Sequence, residues 1–383
     1  MSTEAALLAA IVADPDDDTA RLVYADFLQE HGDESQVARA QFIRAQVELA
    51  RPAQTGEGTR RRGLLSTAKR LHKQHGTAWA APVFDALGTE NDKYAREIEY
   101  DDWDRGFRDW VVFDNLAAFR ERAPAVLALT PITGMSLRKF NNADVRKLVA
   151  EPALRTVKRL GFSGSSTPNR NIGDDTATVL AASPHLERLE ELNLIQNRIT
   201  TEGIRALANA PGLSRLKALG LYGNDSLNDE TYAMLVGSPL GRRMTDWNVC
   251  GSFAITSEAG RILARATHLT QIRTLSFDNT RMGDEGVETL ANASHLSSVR
   301  ELDFRNTSLT DRGVRALARS PVFANLERLN FVKTWINGLG AKALRDSPYL
   351  KKIKFIALYD AVPRASEKKL SDRFGRKVEF GRV

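Results

Sequence analysis

Residues able to do chemistry recur in this chain at fixed slots. Three carboxylate pairs, Asp174/Asp175, Asp229/Glu230 and Asp284/Glu285, are candidate acid and base, and His185, His268 and His295 are candidate proton carriers or metal ligands. Acid–base work needs two groups converging on one pocket. These pairs instead stand where short helices should begin, and capping and the helix dipole account for them there. The histidines return in SPHL, ATHL and ASHL, as a side chain does when it packs one turn of a repeat on the next. His72 and His75, three apart in KRLHKQHG, have no Cys or carboxylate at ligand spacing beside them, so a solvated helix face is expected there. Cys250, the single cysteine, has no adjacent His, Lys or Arg to lower its pKa. No phosphate-binding glycine loop and no G-x-S-x-G elbow occurs. The chain reads as a non-enzyme, with no catalytic residue, metal or cofactor assigned.

The elements that position these residues follow from a repeated phrase. L-x-x-L-x-L leads into a further apolar residue and a short helix in LERLEELNLIQNRIT from Leu186, IRTLSFDNTRMGDEG from Ile272, VRELDFRNTSLTDRG from Val299 and LERLNFVKTWINGLG from Leu326. The anchors Leu192, Leu219, Trp247, Leu275, Leu302 and Leu329 stand 27, 28, 28, 27 and 27 residues apart. That period with that pattern is the leucine-rich repeat in its longer, helix-containing form. Fainter copies anchor at Trp110, Met135 and Leu160 upstream and at Ile353 and Val378 downstream, giving about eleven strands. The expected fold is α/β: a curved solenoid with parallel strands on its concave face and a small α-helical domain over its N-terminal end. Trp110 and Trp247 are expected in the core. Thr200, Asp284 and Thr310 are expected to cap helices, and SGSSTPNRN (Ser163 to Asn171) reads as a loop.

The N-terminal segment has its own punctuation. RLVYADFLQEHGD (Arg21 to Asp33) follows the acidic run DPDDD and reads as one helix, with Val23/Phe27 and Tyr24/Leu28 on an apolar stripe and Gly32 as its stop. ARAQFIRAQVELA sets Ala40, Ile43 and Val47 on one face of a second helix. The motifs DPDDDTARLVYADFLQEHGD and AQFIRAQVELA closely resemble the bacterial "repeat-companion" domain, found at the N-terminus of paralogous leucine-rich repeat proteins of planctomycete type. The Leu64–Trp79 helix, the phrase DRGF (Asp104 to Phe107) and LSDRFGRKVEF look like parts of such proteins. The resemblance divides the chain into a companion domain (1–50), a helical connector and cap (51–106) and a repeat array with a C-terminal cap (107–383). The repeats resemble the ribonuclease-inhibitor subtype, and the resemblance implies a protein partner held on the concave face.

Composition sets limits on that partner. The chain has 383 residues, 27% charged, with a net charge of +6, which admits an acidic partner without requiring one. No run of apolar residues is long enough for a membrane span, and the first residues lack a secretory pattern; the cytoplasm is the expected compartment. The outward strand slots hold the acids Asp109, Glu191, Asp246, Asp278, Glu301 and Asp303 and the bases Arg138, Arg159, Arg305, Arg328, Lys352 and Lys354. Balanced and polarised, such a face suits a protein better than a phosphate backbone. Asn193 shares it. Tyr222, at an outward slot, and Trp335, where other repeats hold Arg198, Arg281 and Ser308, are the candidate anchors. The competing reading is a nucleic-acid or ribonucleoprotein binder using the basic segments 60–76 and 351–377.

Overall fold

A computed structural model describes residues 2–54, 56–88, 102–162, 172–224, 227–248, 251–358, 362, 364–375 and 378–380. Cys250 and the segment 163–171 lie outside the described residues. The chain forms two compact units, Met1–Arg138 with Glu151–Leu160, and Lys139–Ala150 with Gly161–Val383.

In the first unit, DPDDD launches the helix Asp18–His31, whose first free N–H groups include that of Thr19, donated to the Asp17 carboxylate at 2.8 Å. Gly32 ends it at φ −88°, an ordinary angle; glycine is required because a Cβ would meet Leu28 O and Gln36 Cβ at 2.5 Å. The helix Glu34–Ala50 then starts from an Asp33/Gln36 capping box. Tyr24, Leu28, Ala40, Ile43 and Val47 close one core with Ile11 and Phe107. Val23 is exposed: the i, i+4 stripe is wider than the face the core covers.

The acidic run and DRGF meet in this unit. Arg105 reaches Asp18 at 3.1 Å and Asp16 at 3.4 Å, and Lys158 also pairs with Asp16. Arg21 is wholly buried and donates to the carbonyls of Pro15, Asp104 and Arg105 at 2.8, 3.3 and 3.2 Å. Burial pushes its pKa down to about 10. Gly106 sits at φ +90°, and a Cβ there would stand 2.1 Å from Ile43 Cγ1. The helix begun by the basic segment is longer than the sequence suggests, Gly58–Leu87. His72 packs on Phe42 and Trp103, and burial, aided by Arg108, holds its pKa below the usual histidine value. His75 stacks on Trp79.

The second unit is built by repetition. Strands Glu191–Asn193, Ala218–Gly220, Asp246–Asn248, Thr274–Ser276, Glu301–Asp303, Arg328–Asn330, Phe355–Ala357 and Val378–Glu379 pair in parallel with their chain neighbours. Leu192, Leu219, Trp247, Leu275, Leu302 and Leu329 stand side by side and are buried. Phe277, Phe304 and Phe331 stack behind them with ring centres 5.8 and 6.1 Å apart.

Two expected anchors are displaced. Ile356, not Ile353, pairs with Leu329, which restores the 27-residue step. In the first unit Val111, not Trp110, pairs with Met135; Trp110 is half-buried, with the Arg159 guanidinium 5.2 Å from its ring centre. At the first place two L-x-x-L-x-L frames overlap, Leu350/Ile353/Phe355 against Ile353/Ile356/Leu358; at the second the apolar frame Phe107/Trp110/Val112 competes with the shorter Val111/Phe113 pair. The pairing takes the frame that buries two side chains on the inner face. Trp247 is core, as expected.

Capping runs between turns. Thr200 and Thr310 cap their own helices, accepting from Glu202 N and Arg312 N. Asp284 does not cap its own helix, Gly283–Leu290. Its carboxylate accepts from Thr310 N, Thr310 Oγ1 and Gly313 N of the following turn, at 2.8, 2.6 and 2.9 Å. Asp174 treats Thr200 and Gly203 the same way, and Asp229 treats Thr256 so. Asp311 reaches Asn337 N and Gly340 N. The first member of each carboxylate pair is therefore a structural clamp. His268 and His295 bond the carbonyls of Val236 and Leu263, one turn back, at 3.3 and 3.1 Å.

Candidate functional site

On the solvent face of the second unit, the residues flanking the buried anchors form two rows. Glu191, Asp246, Glu301 and Arg328 begin their strands, and Asn193 and Asp303 end theirs. Opposite charges here pair across neighbouring turns. Glu301 lies 3.6 Å from Arg328, whose guanidinium covers the Phe355 ring at 4.6 Å. Asp303 accepts from Arg305 N and Asn330 Nδ2, and burial, reinforced by Asp278, raises its pKa. The outward slots of the first unit hold the same device: Asp109 is buried against Arg159 at 2.7 Å and Thr133 at 2.8 Å. There too burial outweighs the ion pair and raises the acid's pKa.

Five expected face residues of the second unit, Arg305 among them, stand outside the strands. Asp278 is in the turn after its strand, 3% exposed, gripped by Arg305 through Nε at 3.0 Å and Nη2 at 2.6 Å. Lys352 and Lys354 precede the strand Phe355–Ala357, a consequence of the displaced register. Lys352 donates to Asn325 Oδ1 at 2.7 Å, and Lys354 pairs with Glu327. Tyr222 also follows its strand; it is half-buried over Gly251, and its hydroxyl accepts from Asn279 at 3.4 Å.

Trp335 is different. It is 72% exposed, on the loop between the strand Arg328–Asn330 and the helix Gly338–Asp346. Its backbone is held by a bridge to Thr310 of the preceding turn, so the ring projects from a fixed point. The same slot carries Ser308, Arg281 and Phe253 in the three preceding turns, and Phe253 is 53% exposed. Phe253 and Trp335 close the two ends of a groove of about 600 Å³. Its floor is Thr280, Thr307 and Thr334, all buried, whose hydroxyls donate to the carbonyls of Phe277, Phe304 and Phe331. Arg281 and Lys333 line it and are exposed, and neither has an ion-pair partner among the described residues. Phe253 is absent from the sequence expectations, although one further step of 28 residues back from Arg281, along the slot that singles out Trp335, lands on it.

Several cations of the basic segments are engaged within the fold. Arg60 pairs with Glu48 at 2.7 Å, and Arg61 donates to the carbonyls of Glu48, Leu49 and Arg51, closing the end of the helix Glu34–Ala50. Arg373 donates to Ser347 O at 2.5 Å.

A leucine-rich repeat family model matches residues 185–208 and 295–318, each a strand and helix of this parallel array. The fold is a leucine-rich repeat solenoid. No curated protein matches the sequence. Among solved structures the solenoid is similar to a chain of the yeast Rad7 and Elc1 complex, at 14% identity over 86% of this chain and 98% of that one, with a TM-score of 0.47. An internalin from Listeria monocytogenes shares 13% identity over 63% and 70% of the two chains, TM-score 0.36. A Bacteroides fragilis protein shares 13% over 82% and 84%, TM-score 0.41. No described helix is long and apolar enough to cross a membrane.

Proposed function

We propose that this chain is a non-enzymatic scaffold that binds a protein partner through the solvent face of its repeats and the loop edge beside it, with Trp335 and Tyr222 as anchors. The observation that carries this reading is the 72% exposure of Trp335 at a slot held rigid by the neighbouring turn. An exposed indole on a fixed backbone loses little freedom on docking and buries a large apolar area, which is how interface hot spots arise. Glu301 and Arg328 pair with each other on the face, and charges so paired set the register of a partner more than its affinity. The titratable groups with shifted pKa are held in ion pairs, in carbonyl bonds or in the core rather than gathered around an open cleft, which favours binding over catalysis.

The test is affinity capture of the tagged full chain from its own cells at physiological salt, with and without nuclease, beside Trp335→Ala and Tyr222→Ala. A discrete protein retained by wild type after nuclease and lost from Trp335→Ala supports the reading. Proteins lost on nuclease treatment, with co-purifying nucleic acid, would transfer the site to the basic segments 60–76 and 351–377.

A further inference from the structure

The loop-edge groove has a chemistry of its own, distinct from that of the sheet face. Phe253 and Trp335 sit on one slot three turns apart, and at about 4.8 Å per turn the two rings stand roughly 14 Å apart. About four residues of extended chain span that distance. Between the rings the threonine floor presents buried side chains whose hydroxyl protons already point into backbone carbonyls. It has no proton to offer an anion, so it receives apolar side chains. Among the described lining residues Arg281 and Lys333 carry the charge, with Asn306 and Ser308 polar beside them and no carboxylate. Lys333 holds the left-handed backbone slot, φ +57°, that Asn279 and Asn306 fill in the two preceding turns. Asparagine is the residue that slot favours, so a lysine stands there against backbone preference.

We infer that this groove takes an extended acidic peptide segment, with two apolar side chains about four residues apart seated against Phe253 and Trp335 and carboxylates between them meeting Arg281 and Lys333. The inference rests on the scaffold reading above and names the partner's chemistry at its loop edge. A nucleic-acid strand fits less well. Two cations are few for a backbone bearing a charge at every nucleotide, and the threonine floor has no free donor for phosphate.

The test is selection of a phage-displayed random 12-residue peptide library on the full chain, with Trp335→Ala, Phe253→Ala and R281E/K333E as parallel baits of matched melting temperature. Wild type is expected to enrich net-acidic sequences with apolar residues three to five apart. Enrichment should fall at least tenfold on either aromatic variant and turn to basic sequences on R281E/K333E. No enrichment, or enriched peptides that are neutral or basic on wild type, overturns the inference. If such peptides still require Trp335, the scaffold reading survives and only the ligand class fails; peptides indifferent to both aromatics sink the site itself. A labelled 12-nucleotide oligo(U) that displaces the selected peptides would make the occupant a nucleic acid and also overturn it.

Discussion

The Asp284 carboxylate lies in the first turn of one helix and caps the next, holding Thr310 by both its backbone N–H and its hydroxyl at 2.8 and 2.6 Å. With Gly313 N as a third donor, one side chain satisfies three groups of the following turn. Replacing Asp284 by Ala leaves those donors without their acceptor, and roughly 1–3 kcal/mol of stability should be lost. The urea midpoint reports it, and Asp284→Asn should recover part of the loss by keeping one acceptor oxygen.

Gly313→Ala should destabilise although alanine is the better helix former. A Cβ at that position would meet Leu309 Cδ1 at 2.4 Å and Asp284 Oδ1 at 2.7 Å. Overpacking of this kind costs about 1–3 kcal/mol, against a propensity gain of about 1. A melting temperature above wild type would show that the clamp yields.

In the first unit, Gly106→Ala combines a left-handed backbone with a Cβ 2.1 Å from Ile43. A loss of about 2–4 kcal/mol is expected, the range for strain added to overpacking. Chemical denaturation of the full chain measures it; an unchanged midpoint would mean that the DRGF turn is not seated as described.

Trp335→Ala should leave stability within about 0.5 kcal/mol of wild type, as substitutions away from packed positions do. Of the five tryptophans, Trp79, Trp103 and Trp247 are buried and Trp110 is half-buried. Iodide should therefore quench mainly Trp335, and the variant should lose most of the quenchable emission. Quenching that persists unchanged would mean another indole is the accessible one.

The Asp303 carboxyl is raised by burial and by Asp278. Folding thus favours its protonated form, and its contribution turns against the native state as pH rises from the unfolded-chain value, about 3.9, through the folded one. Asp303→Asn should consequently gain stability relative to wild type on going from about pH 4 to neutral pH. Urea midpoints at the two pH values decide the sign; a variant that loses ground to wild type between about pH 4 and neutral pH contradicts it.

The repeat was legible because each turn buries the same inner slots, so its anchors return at a constant step. Legibility failed where local sequence offers two frames. Ile353 and Ile356 are both apolar at L-x-x-L-x-L spacing, and only pairing with Leu329 chooses between them. Lys352 and Lys354 were placed on the face by that one-frame slip. Asp278 reads as an exposed acid because its cover, Arg305, lies a full turn away. The between-turn clamps were hidden for the same reason: a carboxylate at a helix start explains itself locally, and sequence alone does not reveal that its acceptor oxygens face the next turn. Trp335 was visible as the odd member of a polar slot, whereas Phe253 sits in SFAITSEAG, where no L-x-L marks the register.

The clamps give the array a polarity. Asp174, Asp229, Asp284 and Asp311 all reach forward, from an earlier turn to a later one. Fraying at the C-terminal end returns one aspartate to water and leaves every earlier helix start intact. Opening the turn of Asp174, Asp229, Asp284 or Asp311 strips that clamp from its successor. Pulled from its two ends, such a chain should yield unequally, peeling in small steps from the C-terminal side and giving way in longer cooperative runs once an interior turn is lost.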